Sequence, residues 1–403
     1  FSRKIGLKDG STIPILGGAR LSGKVGDNWR IGAMTMQTDV GSAGLGQNFS
    51  VAALQRQVGK SSNLGIIGVN RSSVEKGDFV KSAFNRLLGV DYNFATADRN
   101  HRGKVFFHKS FSFDKPEDSY AHASWYTFST PSFKAMWNHE YVGKNYNAAV
   151  GFVPRVERYN PQLFTIERHG YWRLEPLLRY NFYPKKSANL IYHGPSLYMD
   201  RYMDNTYTLT DNQVRYGYEV QFKNTSNFFA YYNQWYTKLF FDTDVSFTGD
   251  SAIASGGYSY DNVALSYISN LRKPFNWEAG LTTGEYYSGR RTNAKLDLNY
   301  RWQPWGIFGL SYNYNSIDMP HLDKTVDISL IGASAEMSFT KAIFFTTFFQ
   351  YNTQANNFNI NSRLQWRYRP LSDLYLVYSE NYVATDLIVK NRALVVKFIY
   401  WFQ

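Results

Sequence analysis

His122 and Ser124, with Ala123 between them, are the residues of this chain whose types and spacing could carry covalent chemistry. Alternate residues of a β-strand share a face, so imidazole and hydroxyl stand together with Tyr120 and Tyr126. A histidine that takes the proton of a serine is the minimum apparatus for acyl transfer, and a third group must orient the ring. An H-x-S on a barrel strand resembles the arrangement in outer-membrane phospholipases, and Asn138 on the following run is the candidate orienter. The same residues equally fit a polar girdle near a membrane interface. Metal chemistry has less to stand on: His139 and Glu140 are neighbours and so fall on opposite faces. The chain has no cysteine, which removes disulfides, thiolate ligands and thiol nucleophiles. No cofactor is expected, and the enzymatic reading is the remote one.

A second set is electrostatic. In four stretches of strict alternation, the polar face carries Arg215, Lys223, Lys295, Arg301, Arg363, Arg367, Arg369 and Lys397 against Glu219 and Asp297. Lining a wet lumen, these side chains would favour anions. Paired across strands, they would instead hold the wall together. Tyr375 and Trp401 fall on the same faces, where rings can guide sugars or fill space. The formal charge of +12 is dispersed along the strands with no stripe and no basic tail, so nucleic acid is set aside as a partner.

The elements that position these residues are strands. In Gln213–Lys223, Val214, Tyr216, Tyr218, Val220 and Phe222 oppose the polar set. Asn293–Trp302 and Arg363–Arg369 repeat the pattern. The last run puts Leu394, Val396, Phe398, Tyr400 and Phe402 on one apolar face with Lys397 opposite. Such a strand is a poor edge for a water-soluble sheet, because exposed apolar edges aggregate. It suits the closing strand of a membrane barrel, with lipid on one face and lumen on the other. It also resembles the C-terminal signal read by the outer-membrane barrel-assembly machinery, with Gln403 as one residue beyond the aromatic.

Composition agrees. Aromatic residues make up 18% of the chain while mean hydropathy is -0.41, as expected when only alternate residues meet lipid. No run approaches the ~18 to 20 apolar residues of a spanning helix. The chain opens on Phe1 without a secretory signal and reads as processed or partial.

The expected architecture is all-β: residues 1–16 at the mouth or in the lumen, and 17–403 a single antiparallel transmembrane β-barrel. Counting runs gives about 22 strands, within a range of roughly 18 to 22, with both termini periplasmic. Long connections are expected at Pro154–His169, Asp200–Asn212, Phe241–Gly256 and Asn315–Thr325, and short turns at sites such as Lys144-Asn145. Thr38–Gln47 and Ser73–Phe84 read as long connections on the side where short ones belong.

Several stretches then carry a resemblance: Ile15–Lys24, Gly89-Val90-Asp91, Gly151-Phe152-Val153-Pro154-Arg155, and Arg363–Pro370 with Asp373–Tyr378. In this order they resemble an uncharacterised outer-membrane β-barrel family of Bacteroidota, whose members usually carry a carbohydrate-binding family 9-like domain ahead of the barrel. The resemblance implies fold and location. It implies no catalytic residue, and the sugar-binding role of the appended domain is not carried over. The reading is therefore an integral outer-membrane protein, acting as a channel or uptake porin with an electropositive lumen. The alternative is a barrel subunit or scaffold of a larger outer-membrane machine. Expected partners are outer-membrane lipid and lipopolysaccharide, the assembly machinery, and other outer-membrane or periplasmic proteins.

Overall fold

A computed structural model describes residues 5–8, 11–40, 45–113, 117–249, 252–322 and 324–401. Twenty-two strands form one sheet whose order closes on itself, the topology of a barrel, and every described pairing in it is antiparallel. Closure suits these sequences, since a closed ladder leaves no apolar edge unpaired. Among the described residues no helix is long and apolar enough to cross a membrane. The chain divides into two compact units, residues 1–180 with 197–213, and residues 181–196 with 214–403.

The first unit opens on a small ribbon, β1 (Leu7–Lys8) with β2 (Ser11–Thr12). A meander follows: β3 (Ile15–Val25), β4 (Trp29–Thr38), β5 (Gly46–Val58), β6 (Ser62–Glu75), β7 (Asp78–Ala95), β8 (His101–Ser112), β9 (Tyr120–Ser129) and β10 (Phe133–Val142). Residues 143–170 contain a separate hairpin, β11 (Glu157–Asn160) with β12 (Thr165–Arg168). Then β13 (Tyr171–Leu174) and β14 (Leu177–Tyr180) pair in succession with β10, interrupted at Glu175-Pro176. Strands β15 (Leu190–Met203) and β16 (Leu209–Phe222) contribute to both units. The second unit continues as a meander of β17 (Asn227–Leu239), β18 (Gly256–Ile268), β19 (Phe275–Tyr286), β20 (Gly289–Trp302), β21 (Gly306–Asp318), β22 (Val326–Ser338), β23 (Ile343–Asn352), β24 (Asn357–Arg369), β25 (Ser372–Val383) and β26 (Val389–Ile399).

Several boundaries differ from expectation. Ile15 and Leu16 already belong to β3, so the first wall strand begins inside the expected N-terminal segment, of which residues 1–4 and 9–10 lie outside the described ones. Ser73–Phe84 is no long connection: β6 and β7 run on to a two-residue turn at Lys76 (φ 48°) and Gly77 (φ 96°). Both residues are left-handed, as a tight hairpin with matching twist requires. The register shifts just past Ser72, which breaks the alternation and hid the strand ends. Lys144-Asn145 does form a turn, closed by the Tyr146 N–H on the Gly143 carbonyl (3.0 Å), but it opens the 143–170 connection rather than joining two wall strands directly. By register, that connection lies at the same end of the first unit as the links after Thr38, Glu75 and Ser112. Strands also reach further than expected at Met203 and Asp318, leaving connections 204–208 and 319–325.

The pleat sorts side chains between two faces. In the first unit Leu64, Ile66, Leu88, Val90, Val105 and Phe107 share one exposed apolar face. In the second, Val263, Leu265, Leu281, Leu296, Leu310, Ile331, Leu364 and Leu376 do the same, with Trp302, Trp366 and Tyr314 towards the strand ends. The other face carries charged side chains such as Lys295, Asp297, Arg363 and Arg367, together with the packed connections. Since a charged, covered surface is the one a barrel turns inward when its outside meets lipid, we call it the inner face. Of the expected closing face, Leu394, Val396 and Phe398 stand exposed on β26 beside Tyr378, Leu376 and Leu374; Tyr400 follows the strand, and Phe402 and Gln403 lie outside the described residues.

Candidate functional site

The inner face of the first unit is covered by residues 143–170. Tyr146 and Val156 are buried there in a cluster with Leu87, Ala121, Val142 and Tyr171, with Ile67, Val69 and Phe106 packed around it. Each such buried side chain contributes about 2 kcal/mol of docking. Polar groups fix the path. Asn85, itself buried, donates to the Asn147 carbonyl (3.1 Å) and accepts from the Ala149 N–H (3.2 Å), while the Ser110 hydroxyl accepts from the Asn147 N–H (3.0 Å). The Asp118 carboxylate accepts from the Lys144 N–H (2.7 Å). The Arg168 guanidinium donates to the carbonyls of Lys144 (3.2 Å) and Tyr146 (2.7 Å) and pairs with Glu157. Glycine is required where the segment leaves and rejoins the wall: a Cβ at Gly143 would lie 2.2 Å from the Asp118 carbonyl oxygen, and one at Gly170 would lie 2.7 Å from the Val142 carbonyl oxygen.

Beside this segment is a dense ion-pair network. Arg155 pairs with Asp211 and lies 4.0 Å over the Tyr202 ring, which Arg173 approaches at 5.3 Å. Arg173 clamps Asp200 with two bonds (2.7 and 3.0 Å) and reaches Glu175 at 3.1 Å. Glu175 also accepts from Tyr198 and Asn138, both at 2.8 Å, and Tyr171 donates to Glu140 (2.8 Å). Burial, then the Glu140 charge, pushes the Tyr146 hydroxyl up to about 12, so it stays a neutral donor. Burial holds the Arg158 guanidinium below its ordinary value against the pull of Asp211. Charges of both signs thus compensate one another in this unit. Nothing in the local spacing announces the network, because its members come from four strands and a connection.

In the second unit the connection 240–255 also reaches the inner face: Val245 and Ile253 are buried with Ile317 and Met319. Asp244 organises it by accepting from the N–H groups of Ser246 (2.9 Å), Phe247 (2.9 Å) and Gly249 (2.7 Å) and from the Ser246 hydroxyl (2.6 Å). Although burial opposes ionisation, those bonds keep its carboxyl below the usual range.

The eight basic residues singled out from sequence have different surroundings. Lys295 is neutralised by Asp297 (2.8 Å) and Glu278 (3.3 Å), and Arg367 by Asp373 (3.3 Å). Arg301 donates to the carbonyls of Leu271 (2.6 Å) and Lys273 (2.8 Å), Lys223 to that of Ser187 (2.8 Å), and Arg215 to Asn233 (2.8 Å). Arg369 follows a register shift and donates to the Tyr400 hydroxyl (3.0 Å). Arg363 lines a cavity of about 420 Å³ with Arg301, Glu336, Thr346 and Gln365, and no acid pairs with it among the described residues. Lys397 faces Tyr375 across β25 and β26. Sequence reasoning missed Arg291, which donates to Asn315 (3.0 Å) on the same face, because β20 starts four residues earlier than the alternating run suggested.

The serine and histidine are rearranged. Ser124 bonds the Nδ1 of His139 (2.8 Å) rather than His122, whose ring stacks on Tyr141 (5.3 Å) and Tyr120 (6.3 Å). Ser124 and His139 are direct cross-strand partners, which a within-strand pattern cannot reveal. Asn138 points to the inner face and bonds Glu175, so it does not orient either imidazole. These rings, with Trp172 and Tyr207, form an outer-face aromatic cluster.

No protein-family profile matches this sequence, and no curated protein matches it. Among solved structures, the crystal structure of the ferric-catecholate import receptor Fiu from E. coli K12, open form, aligns over 94% of this chain and 71% of that chain. The identity is 8% and the TM-score 0.44, too low for the likeness to bear on this chain.

Proposed function

We propose that this large β-barrel is an outer-membrane channel whose passage is narrowed by residues 143–170. The observation that carries the reading is the docking of that connection on the charged inner face by Tyr146, Val156 and Asn85, opposite an outer face of exposed aliphatic side chains. An inward-folded connection restricts solutes by size and charge, and an apolar band with aromatic ends matches a bilayer. Lipid and lipopolysaccharide meet the outer face, and β26 offers the assembly machinery its exposed Leu394, Val396 and Phe398. The reading is a non-enzymatic one, and it is supported by the surroundings of Ser124 and His139: among the described residues no acid or amide bonds the His139 ring, and Glu140 beside it faces inward to Tyr171. Planar-bilayer recording tests it. The protein should give discrete conductance steps, and removing the hairpin from Glu157 to Arg168 should enlarge them; an absence of conductance from both forms would overturn the channel.

A second reading, a barrel subunit of a multi-protein outer-membrane assembly, is favoured by one observation. Phe152, Tyr159, Leu163, Phe164 and Ile166 expose apolar surface on the same connection, and clustered exposed apolar residues mark contact sites. Purification from native membranes separates the two: a stable complex without conductance favours the subunit.

A further inference from the structure

The outer face of the first unit has one place where the apolar wall dips. Ala52 on β5 and Gly68 on β6 are direct partners, and their small side chains leave a groove walled by Leu88 and Phe111 and closed by Asn70 and Arg86. Its volume is about 610 Å³, within the usual range of ligand sites. The groove lies at a chemical boundary. From β4 to β7 the register row Thr35, Ser50, Asn70 and Arg86 is polar and the adjoining row Ala33, Ala52, Gly68 and Leu88 is apolar; on β8 the first ends on Phe111 and the second on Lys109. A row that changes from apolar to polar in this way sits where hydrocarbon gives way to headgroups.

Two cations stand at that boundary. Arg86 lies 4.7 Å over the Phe84 ring and uses its Nε on the Asn70 side-chain oxygen (3.3 Å), leaving its terminal nitrogens available. Lys109 is the cross-strand partner of Leu88, on the diagonal from Arg86, and no acid occupies either row. Neither cation has an ion-pair partner among the described residues. A guanidinium with free N–H groups beside an ammonium is a phosphate-binding arrangement, and it crowns an apolar trough.

We propose that this groove is a binding site for an anionic phospholipid of the surrounding bilayer, one whose phosphate charge is not cancelled by an ammonium in its headgroup. The acyl chain lies over Ala52 and Gly68, and the phosphate is held by Arg86 and Lys109. The proposal rests on the membrane reading above. It goes further in predicting selectivity for one lipid class at one position of the wall.

Native mass spectrometry of the detergent-solubilised full chain tests it, with phosphatidylglycerol and phosphatidylcholine of equal chain length as probes. The unmodified protein should retain phosphatidylglycerol in preference, with each cation worth about fivefold. The pair Arg86→Gln and Lys109→Gln should remove the preference. Gly68→Leu should reduce retention of both lipids by filling the groove, and a Cβ there meets nothing within 4 Å, so the wall accommodates it. Free inorganic phosphate at equal concentration should not displace the lipid, because it cannot occupy the trough. Equal retention of the two lipids, a preference that survives the double substitution, or indifference to Gly68→Leu would overturn the site. A chain that stays monomeric in water without detergent would instead overturn the membrane reading on which the site depends.

Discussion

Arg363 separates what pattern can say about a charge from what surroundings do to it. Alternation placed Arg215, Lys295, Arg363 and Arg367 on one kind of face; register sets Lys295, Arg363 and Arg367 opposite the aliphatic face, and Arg215 bonds Asn233. Alternation set Asp297 beside Lys295 on β20, but it could not tell that Glu278 also neutralises Lys295 or that Asp373 neutralises Arg367, because those partners lie on a neighbouring strand or across a turn. Arg363→Gln should therefore lower the anion-to-cation permeability ratio, by up to roughly thirtyfold for ions passing within ~4 Å in water-like surroundings, since the anion loses and the cation gains about 1 kcal/mol each. Reversal potentials across a salt gradient measure it. The effect should shrink as the Debye length falls from ~10 Å at 0.1 M to ~3 Å at 1 M salt, and a cation-selective unmodified barrel would contradict the assignment. His122 and Ser124 show the same limit from the other side. Both lie on the face expected for them, yet the serine bonds His139, its partner across the ladder.

At the scale of elements, the hairpin β11–β12 and its return to the wall should respond to pH. Burial, then the Arg158 charge, holds the His169 imidazole below its ordinary value, with Lys144 acting the same way and Glu167 opposing. An undocked His169 takes up its proton near pH ~6.5, whereas the docked one resists it. Docking is thus favoured above that pH and weakens as pH falls through it. The bond from the Asn160 amide holds Glu167 below its ordinary value, so its contribution is lost only in more acidic solution, below ~4.3. Limited proteolysis within 157–168 should be faster at pH 5.5 than at 7.5, and His169→Gln should flatten the difference. Much of this element was beyond sequence reasoning. Pro154–His169 read as a polar loop, and neither Val156 within it nor Tyr146 ahead of it stands in an alternating run, so neither shows a period. Their burial depends on Leu87 and Ala121, which stand tens of residues earlier in the chain.

For the whole molecule, closure of the strand order implies kinetic resistance, since opening a barrel in an apolar medium exposes a ladder that the medium cannot satisfy. The protein should migrate as a compact species on unheated dodecyl-sulfate gels and shift on boiling; identical mobility with and without heating would count against a closed wall. The sequence by itself determined that the chain is all-β, which residues of Gln213–Lys223, Asn293–Trp302 and Arg363–Arg369 share a face, and that one face is aromatic-rich. These follow from a two-residue period that each strand carries locally. Tertiary structure alone decided where β6 and β7 turn, because a register shift past Ser72 erases the period there. It alone brought Ser124 to His139, left Arg363 without an acid partner among the described residues, and opened the groove over Ala52 and Gly68 beneath Arg86. Each of those depends on which residues the ladder sets side by side, and cross-strand register is a property of the closed sheet rather than of any one strand.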